Sequence, residues 1–101
     1  MSVPVGENVV VLGAGGAARA VVVALALRGV ASITIANRTV EKAIALAEEM
    51  DRQIGVSMQG MGLADERLPL TIRQSKLLVN TATTSMDCLL YTLTLPTIYS
   101  V

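Results

Sequence analysis

The sequence predicts an α/β domain in which a mostly parallel sheet lies between two layers of helices. Two observations lead to this fold class. Short apolar segments rich in β-branched residues, as in strands buried on both faces, alternate with longer segments of helical periodicity. A stretch of small residues, 13–18, joins the first apolar segment to the first helical one, which is a strand-turn-helix connection. At 101 residues the chain is expected to form one domain.

The first half of the chain predicts two strands and two helices in alternation. Residues 8–12 form a strand because they include three valines in succession, and residues 16–28 form a helix because Ala, Val and Leu dominate them. Residues 31–36 form the second strand. Thr39 caps a second helix over residues 40–52, where apolar and charged positions recur with helical spacing. A right-handed crossover would place the two strands side by side and parallel.

The second half is less regular, and its predicted elements are shorter. A third strand is predicted over residues 53–58, and Gly60 and Gly62 are expected to loosen the chain after it. Further on, the sequence favours helical turns over residues 63–68 and 71–74, a strand over residues 76–80 and the start of another over residues 97–101.

Composition argues against several classes of function. Eight basic and eight acidic residues give a formal charge of zero, which argues against nucleic acid or an anionic membrane as the main partner. The chain has no histidine and a single cysteine, Cys88, so we assign neither a metal site nor an intrachain disulfide. It has no uninterrupted apolar segment of about 18 residues, and a reducing cytoplasmic setting is expected. No catalytic residue is assigned.

The small-residue stretch has the spacing Gly13-x-Gly15-x-x-Ala18 directly after a strand. Small residues at these positions let backbone N–H groups approach a diphosphate, and the N-terminus of the following helix supplies a partial positive charge. The spacing therefore predicts a dinucleotide site in a Rossmann-like fold. With 101 residues the chain is short for the two halves of a complete dinucleotide-binding fold, so the fold is expected to be incomplete.

Polar residues follow the second strand, where a dinucleotide site recognises the adenosine ribose. An NAD site usually has Asp or Glu here, whereas this chain has Asn37, Arg38 and Thr39. A guanidinium suits the additional phosphate of NADP, and Arg38 opposes the dipole of the following helix, which also favours an anionic partner. Lys42 fits a phosphate contact and an ordinary surface position equally well. Arg19, one turn into the first helix, is expected to point to solvent.

Three motifs, which begin at Gly13, Asn37 and Asn80, resemble the NADP-binding domain of the shikimate/quinate dehydrogenase family. The resemblance implies that NADP is held at the diphosphate by Gly13, Ala14, Gly15, Gly16 and Ala17, at the 2′-phosphate by Asn37, Arg38, Thr39 and Lys42, and near the nicotinamide by Asn80 and Met86. The third motif departs from the family's Asn-Ala-Thr-x-x-Gly-Met, because positions 81, 82 and 85 are Thr, Ala and Ser.

The resemblance also implies an activity. Shikimate dehydrogenases transfer hydride between NADPH and 3-dehydroshikimate, which gives shikimate, a step in aromatic amino acid biosynthesis. In that family a separate domain before the glycine loop carries the substrate site, whereas seven residues precede the first strand here. We therefore expect a cofactor-binding fragment of a longer enzyme, inactive alone. Its 52% hydrophobic composition suits docking to the missing substrate domain or to a second copy.

Two other interpretations stay open at this point. Residues 33–39, with the Ala- and Glu-rich helix after them, also resemble the NADP domain of glutamyl-tRNA reductases. The double glycine at positions 15 and 16 favours the shikimate dehydrogenases instead. A non-catalytic nucleotide-binding module that associates through its apolar surface would use the same loop.

Overall fold

A computed structural model describes residues 5–81 and the backbone of residues 97–100. The elements in these residues are, in chain order, β1 (Asn8–Leu12), α1 (Gly16–Leu27), β2 (Ser32–Asn37), α2 (Val40–Ile54), β3 (Ser57–Gly62), α3 (Leu68–Arg73), β4 (Leu77–Asn80) and β5 (Thr97–Ser100). The strands form one sheet in the order β3-β2-β1-β4-β5, and every neighbouring pair is parallel. The described strands follow the first five positions of the doubly wound order 3-2-1-4-5-6. The predicted Rossmann-like α/β class is confirmed.

The sheet buries a core on each of its faces, because successive side chains of a strand point to opposite sides. One core lies between the sheet and helices α1 and α2, and its strand residues are Val9, Val11, Ile33, Ile35, Leu77 and Val79. The other core lies under α3, and its buried members are Val10, Leu12, Ala36, Met61, Leu68, Ile72 and Leu78. The two cores create the three predicted layers.

The first four predicted elements lie within two residues of their observed ends. β1 and β2 are parallel neighbours, as predicted, with Asn8 opposite Ser32 and Leu12 opposite Ala36. Both strands are buried over most of their length, which explains why their β-branched composition identifies them. The β1-α1-β2-α2 half of the fold is therefore readable from hydrophobic pattern alone.

The third strand is predicted too early in the sequence. Helix α2 continues two residues beyond its predicted end, and β3 covers Ser57–Gly62 rather than residues 53–58. Gly60 lies inside β3, where a β carbon would come within 2.4 Å of the α2 backbone at Ala43. Gly60 thus allows α2 to pack directly onto the strand. The expectation that Gly60 and Gly62 loosen the chain is wrong.

A single helix follows β3. α3 covers Leu68–Arg73. It begins at the last residue of the turn predicted over residues 63–68 and includes most of the turn predicted over residues 71–74. Pro69 lies in its first turn, a position where a proline removes no helical hydrogen bond. The short helix covers the second core.

The last predicted strands are found where they were expected. β4 lies within residues 76–80 and β5 within residues 97–101. Met86 and Cys88 lie outside the described residues. Within the described part of the chain, no helix has both the length and the hydrophobicity needed to cross a bilayer.

Candidate functional site

A groove of about 520 Å³ lies at the carboxyl ends of β1, β2 and β4. Small-molecule sites have volumes of roughly 300–1,000 Å³, and open α/β sheets bind ligands at this edge. The residues that line the groove are Gly13, Ala14, Gly15, Gly16, Ala17, Ala18, Asn37, Arg38, Thr39, Lys42 and Thr81. All of them except Ala18 and Thr81 are among the predicted cofactor-binding residues. The fold therefore brings the first two sequence motifs together with Thr81 of the third.

The backbone turns sharply out of β1 at Gly13. Its φ is +111°, a conformation that strongly favours glycine, and its N–H donates to the Ala36 carbonyl oxygen at 2.7 Å. α1 then begins at Gly16, with Gly15 as its extended N-cap residue, and no described side chain caps the helix. The first N–H groups of α1 thus lie at the groove without a side-chain acceptor, an arrangement that binds anions.

Neither backbone conformation nor steric contact requires glycine at positions 15 and 16. Neither residue has a positive φ, and a β carbon on either would meet no described atom within 4 Å. Packing within the protein therefore tolerates a side chain at both positions. The open space in front of their backbone is what the close approach of a diphosphate requires, so the loop fits a dinucleotide.

The opposite wall of the groove is cationic. Arg38 directly follows β2, Lys42 lies in the first turn of α2, and both residues are exposed. The described lining contains no carboxylate, and no described acid forms an ion pair with either cation. Two positive charges that no described acid neutralises make an anionic ligand favourable here.

Thr39 and Asn37 shape the turn between β2 and α2. Thr39 occupies the predicted N-cap position, but its side chain makes no capping hydrogen bond, so that part of the prediction is wrong. Its carbonyl oxygen instead accepts a hydrogen bond from the Asn37 amide Nδ2 at 3.1 Å. Asn37 thereby fixes the turn that presents Arg38. The phosphate contacts expected of Asn37 and Thr39 stay predictions.

Arg19 does not simply point to solvent, as the sequence had suggested. Its guanidinium forms an ion pair with Glu49 of α2, and 51% of its side chain remains exposed. Arg19, Glu49 and Lys42 line one small cleft beside the groove. Partly exposed ion pairs contribute about 0–1 kcal/mol to the free energy of unfolding. The main consequence of this pair is therefore that the charge of Arg19 is already partnered by Glu49. Arg19 is therefore not one of the cations of the groove.

The carboxyl end of β4 adds one residue to the groove, and the role expected of Asn80 near the nicotinamide stays a prediction. Asn80 pairs with Leu12 in register, is 9% exposed and does not line the groove formed by the described residues. The next residue, Thr81, lines it instead. In the sequence, Thr81 stands out only as a departure from the family pattern. Its position directly after a buried strand at the ligand-binding edge was the available signal.

The described groove is equipped for binding more than for proton transfer. Its lining contains no carboxylate, thiol or imidazole, and the described residues hold no cluster that could bind a metal ion. What it offers is a set of backbone N–H groups, two cationic side chains and three hydroxyl or amide side chains. This combination can hold and orient a polyanionic ligand.

Known protein sequences contain close relatives of this chain. The sequence model of shikimate / quinate 5-dehydrogenases matches residues 3–90. A shikimate dehydrogenase (NADP(+)) of Methanopyrus kandleri is 45% identical over 83 residues, which are 82% of this chain and 29% of that protein. The family match confirms the resemblance seen in the motifs and favours it over glutamyl-tRNA reductase.

Solved structures of dehydrogenases and a reductase share the fold. The shikimate 5-dehydrogenase of Listeria monocytogenes, determined in complex with shikimate and NAD, has a TM-score of 0.73 and is 29% identical, with 87% of this chain and 34% of that chain covered. The 5-ketofructose reductase of Gluconobacter sp. strain CHM43 has a TM-score of 0.67 and is 35% identical, with 96% and 33% covered.

The length of the match defines how far the relationship extends. This chain spans less than a third of the length of the curated shikimate dehydrogenases that it matches. Within that span the match includes the glycine loop, the segment after β2 and the whole of β4. The chain therefore belongs to the shikimate / quinate 5-dehydrogenase family.

Proposed function

We propose that this chain is the NADP(H)-binding part of a shikimate dehydrogenase-like oxidoreductase. The observation that carries the proposal is a single groove in which Arg38 and Lys42, neutralised by no described acid, face a glycine loop. The loop suits the diphosphate of a dinucleotide. The cationic wall suits the 2′-phosphate that distinguishes NADP from NAD.

The diphosphate would be held by backbone N–H groups of Gly15, Gly16 and Ala17. They lie at the N-terminus of α1, where the helix dipole is equivalent to about half a positive elementary charge. Because Gly15 and Gly16 carry no side chains, phosphate oxygens can come within hydrogen-bond distance of this backbone. Gly13 and Ala14 would form the turn that leads the chain around the diphosphate.

The 2′-phosphate would be held by Arg38 and Lys42. The planar guanidinium of Arg38 can donate two hydrogen bonds to one phosphate, and Lys42 adds a second charge from the first turn of α2. Thr39 offers a further donor, since its hydroxyl makes no capping bond. Recognition of NAD would instead need a carboxylate for the ribose hydroxyls, and no acid is present in the described lining.

Family membership alone does not decide between the two cofactors. The relative from Methanopyrus kandleri is named for NADP(+), whereas the Listeria monocytogenes enzyme was solved with NAD. The residues after β2 therefore carry the cofactor preference that we propose for this chain.

In the whole enzyme, bound NADPH would supply the hydride that reduces 3-dehydroshikimate to shikimate. The described residues would bind and orient the cofactor. The described groove lining offers no carboxylate, thiol or imidazole for proton transfer, and we assign proton transfer and substrate recognition to the separate substrate domain that shikimate dehydrogenases carry. The carbonyl substrate would depend on that domain, since a 5-ketofructose reductase has the same fold in this region.

Calorimetric titration of the chain with NADP⁺ and with NAD⁺ tests the proposal. We expect NADP⁺ to bind more tightly by about 10-fold or more, or about 1.4 kcal/mol, because only NADP⁺ offers a charge-assisted phosphate contact. Arg38→Asp should abolish this preference. Arg52→Asp makes the same charge change in the last turn of α2, away from the groove lining, and should preserve it.

Equal affinities in the wild-type chain, or a preference that survives Arg38→Asp, would contradict the phosphate assignment. Binding of neither cofactor by a chain that circular dichroism shows to be folded would contradict the dinucleotide site itself. Shikimate oxidation on addition of a separately produced substrate domain would support the catalytic role. NADP⁺ binding that changes the oligomeric state, without turnover under any condition, would instead favour the non-catalytic module.

A further inference from the structure

The peptide unit between Leu12 and Gly13 is held from both sides. Its carbonyl oxygen, on Leu12, accepts the Thr81 backbone N–H at 2.9 Å and the Thr81 hydroxyl at 2.7 Å. Its N–H, on Gly13, donates to the Ala36 carbonyl oxygen at 2.7 Å. Residues at the ends of β4 and β2 thus form hydrogen bonds with both sides of a single peptide plane at the end of β1.

This peptide plane is the last one before the chain turns at Gly13, where φ is +111°. Its orientation sets the direction in which the loop leaves the sheet, and therefore where the N–H groups of Gly15 and Gly16 lie. Short displacements matter for such groups, because a hydrogen bond weakens steeply when its distance or angle departs from the optimum. A residue that fixes this plane can control binding without touching the ligand.

The second hydrogen bond on the Leu12 carbonyl oxygen requires a hydroxyl side chain at position 81. Any residue except proline would donate its backbone N–H to Leu12 as Thr81 does, but only a hydroxyl side chain adds the second bond. Thr81 is partly buried and lines the groove, where water competes less for the bond.

We propose that Thr81 is a positioning residue for the diphosphate loop and acts through the second hydrogen bond on the Leu12 carbonyl oxygen. This inference rests on the proposed function, since the loop must bind a diphosphate for its position to matter. It predicts that Thr81 affects NADP⁺ and NAD⁺ alike, because both carry the diphosphate. Arg38, by contrast, should affect only NADP⁺.

Thr81→Val and Thr81→Ser test the role of the hydroxyl. Valine keeps the shape of threonine without the O–H, and serine keeps the O–H. We expect Thr81→Val to weaken both NADP⁺ and NAD⁺ by roughly 3- to 10-fold, the effect of one hydrogen bond, with their ratio unchanged. Thr81→Ser should stay within about twofold of wild type. Adenosine 2′-phosphate, which lacks the diphosphate, should bind wild type and Thr81→Val equally.

The outcomes separate this inference from the proposed function. Wild-type binding of NADP⁺ that Thr81→Val leaves intact would overturn the role of Thr81 alone. If Thr81→Val weakened adenosine 2′-phosphate as much as NADP⁺, the positioning role of Thr81 would also be overturned, because the substitution would then have disturbed the fold as a whole rather than the diphosphate loop. Failure of the wild-type chain to bind any dinucleotide would overturn both. Hydrogen exchange at the Gly13 amide should quicken in Thr81→Val even without ligand.

Discussion

A β carbon added at Gly60 would lie 2.4 Å from the backbone of Ala43 and Ile44, whereas one added at Gly15 would meet no described atom within 4 Å. The first glycine is required by the contact between β3 and α2. The second leaves space that the protein itself does not fill. Gly60 is therefore needed for folding, whereas the small size of Gly15 is needed for ligand binding.

Alanine substitutions at these two glycines should have opposite effects. Gly60→Ala forces backbone apart and should lower the free energy of unfolding by at least about 3 kcal/mol, or on the order of 12 °C in Tm. Gly15→Ala replaces a good N-cap residue with a poor one and should cost only about 1 kcal/mol, or on the order of 5 °C in Tm, but its methyl group should weaken NADP⁺ binding by about 10-fold or more. Thermal unfolding and calorimetry measure both quantities. A stable Gly60→Ala variant, or an unchanged NADP⁺ affinity in Gly15→Ala, would contradict these roles.

At the scale of single elements, α3 is preceded by a tight charged turn. The Asp65 carboxylate accepts hydrogen bonds from the Arg67 backbone N–H at 2.8 Å, from its Nε at 3.1 Å and from its Nη2 at 2.9 Å. These bonds to the charged form lower the pKa of Asp65 from 3.8 to about 2, with the Arg67 side chain as the main cause. The turn therefore prefers an ionised Asp65.

The lowered pKa of Asp65 makes the start of α3 sensitive to acid. The folded chain stabilises the ionised form of Asp65 more than the unfolded chain does. The contribution of Asp65 to the free energy of unfolding is therefore complete well above pH 3.8 and is lost as the pH falls towards about 2. Arg67→Met should return the pKa of Asp65 towards 3.8. Carboxyl ¹³C NMR titration of both proteins measures the difference, and an unchanged midpoint in the variant would refute the assignment.

The elements differ in how far sequence could predict them, and the reasons are physical. β1 and β2 are buried and rich in β-branched residues, so their composition alone predicts that they are strands. β3 contains two methionines and two glycines and no β-branched residue, and a β carbon at one of these glycines, Gly60, would collide with the α2 backbone. That requirement comes from tertiary packing, which local pattern does not record.

The candidate site likewise has a part that local sequence predicts and a part that depends on tertiary structure. The glycine loop and the segment after β2 are contiguous motifs, so the fold brings together residues that sequence reasoning had already selected. The contact between Thr81 and Leu12 joins residues 69 positions apart. Only the pairing of β1 with β4 makes them neighbours, and strand order is a property of the whole sheet.

At the scale of the whole molecule, strand order explains why the site exists. β1 lies between β2 and β4, so the loop after β1, the turn after β2 and Thr81 after β4 meet at one edge. In doubly wound folds a crevice opens at this edge of the sheet, at the point where the strand order reverses. The groove is therefore a consequence of topology, and its chemistry is a consequence of the residues that end each strand.

The described surface gives limited support to the predicted apolar docking face. The large exposed apolar side chains in the described residues lie on separate elements, and they are Val5, Leu27, Ile44 and Leu70. The sheet face beside α3 is polar towards the amino ends of the strands, where the Ser32 hydroxyl donates to Asn8 at 2.7 Å and Gln59 donates to Thr34 at 3.0 Å. Docking to a substrate domain or a second copy stays a prediction.

NMR spectra of the labelled chain, recorded with saturating NADP⁺ and then with NAD⁺, distinguish the two walls of the groove. Both cofactors should shift the backbone amides of Gly15, Gly16 and Ala17, because both place a diphosphate at the N-terminus of α1. Only NADP⁺ should shift the Arg38 guanidinium and the Lys42 amine, because only NADP⁺ has a 2′-phosphate. Identical shift maps for the two cofactors, or shifts at the opposite edge of the sheet, would contradict an NADP-binding groove at this position.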